Sequence, residues 1–194
     1  MQPSGAPETP GAVERKKGGF GETVRFIIVS LVIVFGVRYF IAQPFIVSGE
    51  SMVPTFENGE YLIVDELSYR FREPARDDVI IMRYPLDPKK YFIKRIIGLP
   101  GETLAFDGTQ ITVTSANDKN PIVLDEPFIQ NQKDTYLTVL LKENEYFVLG
   151  HNRPASSDSR VWGPLPRKDI IGSPIVRLFP LTRIDWRPGA FTSE

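Results

Sequence analysis

Two rhythms of hydrophobic and polar positions run along this chain. From Val24 to Ala42 (VRFIIVSLVIVFGVRYFIA) the apolar residues cover every face of a helix and leave no polar stripe. At ~1.5 Å per residue the stretch would measure ~28 Å, near the ~30 Å of a bilayer's hydrocarbon core, so the pattern predicts a membrane-spanning anchor over 24–42. Arg25 lies at one end and Arg38 within about one turn of the other, where long side chains snorkel to headgroups. A helix buried in a soluble core is the alternative, but Arg38 and β-branched crowding on all sides suit lipid better.

Beyond the anchor the period shortens to two. Tyr61–Val64, Asp78–Met82, Tyr91–Ile97, Gln110–Thr114, Tyr136–Leu141, Glu145–Leu149 and Ile175–Phe179 are short β-branched or aromatic runs bounded by Gly, Pro, Asn or Asp. Leu99-Pro100-Gly101-Glu102 reads as a turn, with Pro presetting φ and Gly supplying φ > 0. Convincing helical stretches in this part are short, around Leu67–Arg72 and Arg167–Ile170. These elements predict a β-dominated domain over 43–194. Residues 103–144, which include the polar run Ser115–Pro121, are looser than their flanks and read as a small inserted β subdomain or as long hairpins.

Charge gives the anchor a direction. Residues 1–21 are rich in Pro, Gly and Ala and cannot bury enough surface to fold, so a disordered cytoplasmic tail is expected over 1–23. Arg15, Lys16, Lys17 and Arg25 precede or open the span, which puts the N-terminus in the cytoplasm and the remainder outside. A cleaved signal peptide competes with the retained anchor, and Val47-Ser48-Gly49 is its only passable cleavage site.

Composition mainly removes possibilities. The 194 residues carry 23 Lys+Arg against 24 Asp+Glu, a net charge of −1, so no global basic field invites nucleic acid. With 0 Cys, thiolate catalysis, disulfides and Cys-ligated metals are excluded, and 1 His cannot build a multi-His metal site. No cofactor and no metal are expected. At 42% hydrophobic residues a packed core is well supplied, and 17 Pro fit a turn-rich β protein.

A hydrolytic site in such a chain needs Ser as nucleophile and another group as base. A Lys whose pKa falls from ~10.4 toward neutrality by burial would serve. Lys94 fits, because alternation in Phe92-Ile93-Lys94-Arg95-Ile96 sets it with Phe92 and Ile96 while Arg95 falls with Ile93. If the first of those faces is covered, Lys94 is a desolvated charge; an edge-strand lysine facing solvent is the plainer alternative. Ser51 follows Gly49, which permits close backbone approach, and precedes Pro54, which stiffens the chain. The polar run Gly150–Arg160 is ordinarily a solvated loop, yet it holds enough Ser, Asn, Asp and Arg to surround a buried amine.

Taken in order, Ser51-Met52-x-Pro54-Thr55, Lys94-Arg95-Ile96-Ile97-Gly98-Leu99-Pro100-Gly101 and Gly150-x-Asn152-Arg153-x-x-Ser156-x-Asp158-Ser159-Arg160 resemble the motifs of bacterial type I signal peptidases. Arg76-Asp77-Asp78-Val79 resembles that family's Arg-Gly-Asp-Val element. The resemblance implies an antiparallel β-sheet or partial-barrel catalytic domain with a small β insertion. It further implies a serine endopeptidase of the cell (inner) membrane that cleaves exported preproteins after small residues in an Ala-x-Ala pattern. Ser51 would be the nucleophile and Lys94 the general base. Ser156 would orient the Lys94 amine, Asp158 and Arg160 would pair to hold their loop with Arg95 in support, and the Ser51 N–H would donate to the oxyanion. Substrate would lie extended, with Phe45, Val47, Met52, Phe92 and Ile93 lining shallow apolar pockets.

Two positions depart from the family pattern. Gly49 stands where some members place a Ser whose hydroxyl adds a second oxyanion donor. His151 stands where the family usually has Asp, and it is expected to charge below about pH 6.5 and add positive charge near Lys94. A relative with the same dyad but a dedicated or self-cleaved substrate, and a silent peptide-binding β-domain, are the competing functions. The expected partners are preproteins bearing signal peptides and the lipid bilayer. The anchor ends only a few residues before Ser51, a reach of at most ~30 Å that would hold the nucleophile at membrane height. Phe179, Leu181, Trp186 and Phe191, with Arg183 and Arg187 among them, read equally as an interfacial patch or as a closing strand and tail.

Overall fold

A computed structural model of the chain describes residues 19–40, 42–115, 118 and 120–190. Of the tail expected over 1–23, residues 1–18 lie outside the described residues, as do 116, 117 and 119 of the polar run and Phe191. Contacts divide the chain into two units that meet at Gly36–Val37.

Helix α1 spans Phe20–Phe40, 21 residues. It starts four residues earlier than the apolar pattern predicts. Ala42, read as the last residue of the span, belongs instead to a strand, where it pairs with Asp65. Nine consecutive positions from Phe26 to Val34 are apolar except for Ser30, and their side chains are largely exposed, so the apolar surface faces every side of the helix. Among the described residues no helix is long and apolar enough to cross a membrane.

The second unit is built from strands. One sheet collects β1 (Ala42–Ile46), β2 (Tyr61–Asp65), β3 (Val79–Tyr84), β4 (Asp87–Gly98), β9 (Glu145–Leu149), β10 (Leu165–Pro166), β11 (Ile170–Phe179) and β12 (Asp185–Trp186). Its strands run in the order β1-β2-β11-β3-β4-β9-β10, with β12 paired to β11. All pairings are antiparallel. The long strand β11 returns from the end of the chain to sit between β2 and β3, closing the sheet around the segments that carry the candidate chemistry. Gly172 permits that insertion, since a Cβ there would collide with the backbone carbonyl of Asp65.

A second sheet, ordered β7-β6-β5-β8, holds β5 (Thr103–Gly108), β6 (Gln110–Thr114), β7 (Ile122–Val123) and β8 (Thr135–Leu140). The region read as looser is thus regular. In β5, alternation buries Leu104 and Phe106, which join Ile97, Phe147 and Leu149 in one apolar cluster. Two further clusters fill the faces of the large sheet. One gathers Ile80, Met82, Ile96 and Val148; the other gathers Val47, Met52, Phe56, Val79, Ile81 and Ile93.

The two expected helical stretches are single 3-10 turns, Ser68–Arg70 and Arg167–Asp169. A short helix, α2 (Ser159–Trp162), was not expected, and four residues are too few to show a helical period. Its N-cap is Asp158, whose carboxylate accepts from the Arg160 N–H. Asp77 adopts φ 68, the left-handed conformation suited to the glycine of the resembled Arg-Gly-Asp-Val element.

Candidate active site

Ser51 opens the turn between β1 and β2. Met52 and Phe56 pin that turn by burying their side chains, and the Phe56 N–H donates to the Met52 carbonyl at 3.0 Å. Gly49, at φ 96, lets the chain bend ahead of the serine. Its N–H is already used, donating to Asn58 Oδ1 at 3.0 Å.

Lys94 comes from the middle of β4, opposite Ile80 of β3. The strand is covered on both faces from Ile93 onward, and on the face shared with Phe92 and Ile96 the lysine is only 3% exposed. The Lys94 amine donates to Ser51 Oγ at 2.7 Å and to its neighbour's carbonyl, Ile93 O, at 3.1 Å. The Phe92 ring flanks it, 5.2 Å from Nζ to centroid. Burial pulls the Lys94 pKa from 10.5 down to about 8, against the opposing pull of the Asp158 carboxylate. A buried amine with so low a pKa, in hydrogen-bond contact with a hydroxyl, is equipped to remove that hydroxyl's proton near neutral pH.

The loop after β9 packs onto the serine from behind. The Asn152 N–H donates to Ser51 O at 3.0 Å. At Gly150 a Cβ would overlap both Ser51 O and Ser156 Oγ, so only glycine allows this approach. Asp158 is fully buried and receives both Nε and Nη2 of Arg160 at 2.8 Å, together with the Gly150 N–H at 3.2 Å. Burial would raise the Asp158 pKa, but the bonds from Arg160 prevail and hold it below the usual carboxylate range. Arg160 also donates to Arg153 O at 2.7 Å. Ser156 Oγ is buried beside this carboxylate, whose charge it helps to hold, though without a hydrogen bond of standard geometry; the Lys94 amine bonds Ser51 and Ile93 instead.

Arg95 and His151 form a separate buried group on the opposite face of β4. Arg95 donates to His151 Nε2 at 2.8 Å, to Asp77 O at 2.6 Å and to Gly189 O at 2.9 Å. Because Nε2 accepts from a guanidinium, the proton of the imidazole sits on Nδ1, which donates to Thr55 Oγ1 at 2.7 Å. Burial, then the charges of Arg95 and Arg153, push the His151 pKa down to about 3. The expectation that His151 charges below pH 6.5 is therefore overturned, because a buried ring facing arginines is costly to protonate. Thr55 closes the motif that begins at Ser51, but its bond to His151 emerges only from the fold.

A cleft of ≈ 240 Å³ opens in front of Ser51 and Lys94. Four of the five expected pocket residues, Phe45, Val47, Phe92 and Ile93, line it, with Ile81 and Ala155 nearby. Met52 does not: it is 1% exposed and lies in the core cluster with Val47 and Leu62. Two-residue alternation after Ser51 does not hold in a turn, which is why sequence position misplaces it. The cleft is lined along one side by Phe45 to Ser51, which includes part of the terminal strand β1, and has an apolar floor, the form of site that receives an extended peptide. Among the described residues no group of acidic or imidazole side chains is arranged to hold a metal ion.

Comparison with known proteins agrees with this geometry. The family described as signal peptidase, peptidase S26, matches residues 20–179. A signal peptidase I of Leptolyngbya laminosa is 35% identical over 94% of this chain and 91% of its own length. A probable signal peptidase I-1 of Synechocystis is 34% identical over 88% of each chain. Signal peptidase I P of Bacillus subtilis subsp. natto is 33% identical over 88% of this chain and 95% of its own. On a match that runs from α1 to the end of β11, the chain belongs to peptidase family S26, the signal peptidases.

Proposed function

We propose that Ser51 and Lys94 are the catalytic dyad with which this serine endopeptidase removes signal peptides from exported preproteins. The observation that carries the reading is the 2.7 Å contact between Ser51 Oγ and a buried Lys94 Nζ. Neutral Lys94 takes the hydroxyl proton as Ser51 Oγ attacks the scissile carbonyl, and the ammonium then protonates the departing amine. A water deprotonated by the same amine hydrolyses the acyl-enzyme. The Ser51 N–H stabilises the oxyanion. Ser156, a hydroxyl buried beside Asp158, orients the third hydrogen of the ammonium, while Asp158 and Arg160 brace its loop and Arg95 holds β4 from the other face.

Preference for small residues in an Ala-x-Ala pattern follows from the limited depth of a cleft floored by Ile81 and Ile93 and flanked by Phe45 and Phe92. The domain assignment on this reading is a cytoplasmic tail ahead of α1, a single-pass anchor formed by α1 and an extracytoplasmic catalytic domain from β1 onward with its insertion at 103–144. Support for a bilayer partner comes from the exposed apolar side chains of α1 and from Phe179, Leu181, Ile184 and Trp186, which are exposed beside Arg183 and Arg187.

The test is cleavage of a preprotein or an Ala-x-Ala peptide by the detergent-solubilised full chain. Wild type should cut once after the small residues, and Ser51→Ala and Lys94→Met should each lose at least about 10³-fold in kcat. Full activity in either variant would remove the dyad.

A further inference from the structure

The connection between β7 and β8, residues 124–134, leaves the second sheet and straps across the loop that follows β9. Glu126 pairs with Arg153, both nearly buried. The Arg153 N–H donates to Asn131 O at 3.2 Å. Between these ties lies Phe128. Its ring covers the Arg95 guanidinium at 4.0 Å and packs on His151 with centroids 4.8 Å apart and planes inclined at 33°.

We propose that the strap is a positioning element for the dyad, with Phe128 and Glu126 holding His151 and Arg95 in the one arrangement that joins the nucleophile's turn to the base's strand. The inference rests on the Ser51–Lys94 reading. His151 is the joint: its Nδ1 bonds Thr55, four residues after Ser51, and its Nε2 bonds Arg95, the residue after Lys94. Both bonds are directional, so a tilt of the ring lengthens both and lets the turn and β4 drift apart. Thr55 and Arg95 fix two edges of the imidazole, and Phe128 closes one of its faces. The same ring keeps water from the guanidinium, which would otherwise hydrate and release the imidazole. Glu126 fixes the strap by its bond to Arg153, whose Nε donates to Gly150 O at 3.0 Å, next to His151.

Phe128 belongs to none of the three apolar clusters. Its ring lies against two polar groups of the site. A small displacement of reacting groups is costly, because attack requires the hydroxyl, amine and carbonyl to be aligned together.

The experiment measures kcat and KM of the detergent-solubilised full chain on an Ala-x-Ala peptide, with Ser51→Ala run first as the control. Phe128→Leu should lower kcat about tenfold with KM changed less than about twofold, while Phe128→Tyr, which keeps the aromatic face, retains most activity. Thr55→Val, which breaks the joint from its other side, should lower kcat similarly. The double variant Phe128→Leu/Thr55→Val should be no worse than the poorer single variant, since both break one linkage. The proposal is overturned by unchanged kcat in Phe128→Leu, by losses that multiply in the double variant, or by a loss that matches the unfolded fraction seen in near-UV circular dichroism. If Phe128→Leu does not fold, Glu126→Gln takes its place with the same expectations, and collapse of both overturns the proposal by making the strap part of the fold. Retained cleavage in Ser51→Ala would instead defeat the dyad itself. An inactive Ser51→Ala beside a fully active Phe128→Leu would defeat the strap alone.

Discussion

The acid limb of the pH–rate profile is the most direct probe of how burial would prepare Lys94 as the proposed base. Lys94 drops from 10.5 to about 8, chiefly because the ammonium loses its water, with Asp158 pulling the other way. At pH 7 an ordinary lysine would be neutral in only ~0.03% of molecules, whereas a pKa near 8 leaves about a tenth neutral, a gain of nearly 300-fold in competent enzyme. Since kcat/KM reports the free enzyme, its profile from pH 5.5 to 9.5 should rise tenfold per pH unit at the acid end and bend near pH 8. The assay is initial cleavage of an Ala-x-Ala peptide at low concentration by full-length protein in detergent. Asp158→Asn keeps an acceptor for Arg160 but removes the charge that favours the ammonium, so the bend should move to lower pH. A bend near pH 10, one near pH 6.5, or an upward move in Asp158→Asn would refute the reasoning.

Other consequences are as concrete. Lys94→Met should stabilise the protein at pH 7 by roughly 3 kcal/mol, less about 1 kcal/mol for the lost hydrogen bonds, as read by denaturant unfolding. The sign follows from the lowered folded pKa: below about 8 both states are charged and the burial penalty is complete, while between about 8 and 10.5 only the unfolded state keeps its proton and wild-type stability climbs. The gap between the two proteins should therefore narrow from pH 8 to pH 10, and a constant gap would count against it. Gly150→Ala should fold yet lose about 10²-fold in kcat, because the added methyl displaces the Ser51 carbonyl; near-normal kcat would show that the loop gives way freely. Imidazole resonances of His151 should not titrate between pH 8 and 5, and a midpoint near 6.5 by nuclear magnetic resonance would contradict the buried, arginine-facing ring.

Where period-two alternation was undisturbed, the sequence was readable to the residue. Gln110–Thr114 and Glu145–Leu149 are strands with the expected bounds, whereas β4 is covered on both faces, so alternation alone does not single out Lys94. Strand β1 was hidden because Ala42 and its followers prolong an apolar run and include Pro44, a residue that demotes a strand assignment. In β5 the buried pair Leu104 and Phe106 was legible, but short strands set among Asp, Gly and Thr look like loop. Met52 and His151 were misjudged for a common reason. Their burial depends on segments far away in sequence, Leu62 and Val64 for one, Arg95 and Phe128 for the other, and no local pattern reports such neighbours.

Lys94 and Arg95 are adjacent on β4, whose pairing is set on both flanks, by β3 at Ile80 and Val79 and by β9 at Leu149. Sliding that strand by a single position would turn the guanidinium toward the serine and the amine away from it. A guanidinium keeps its proton at neutral pH. With the proposed dyad, a misaligned copy of this peptidase would be inert, never indiscriminate.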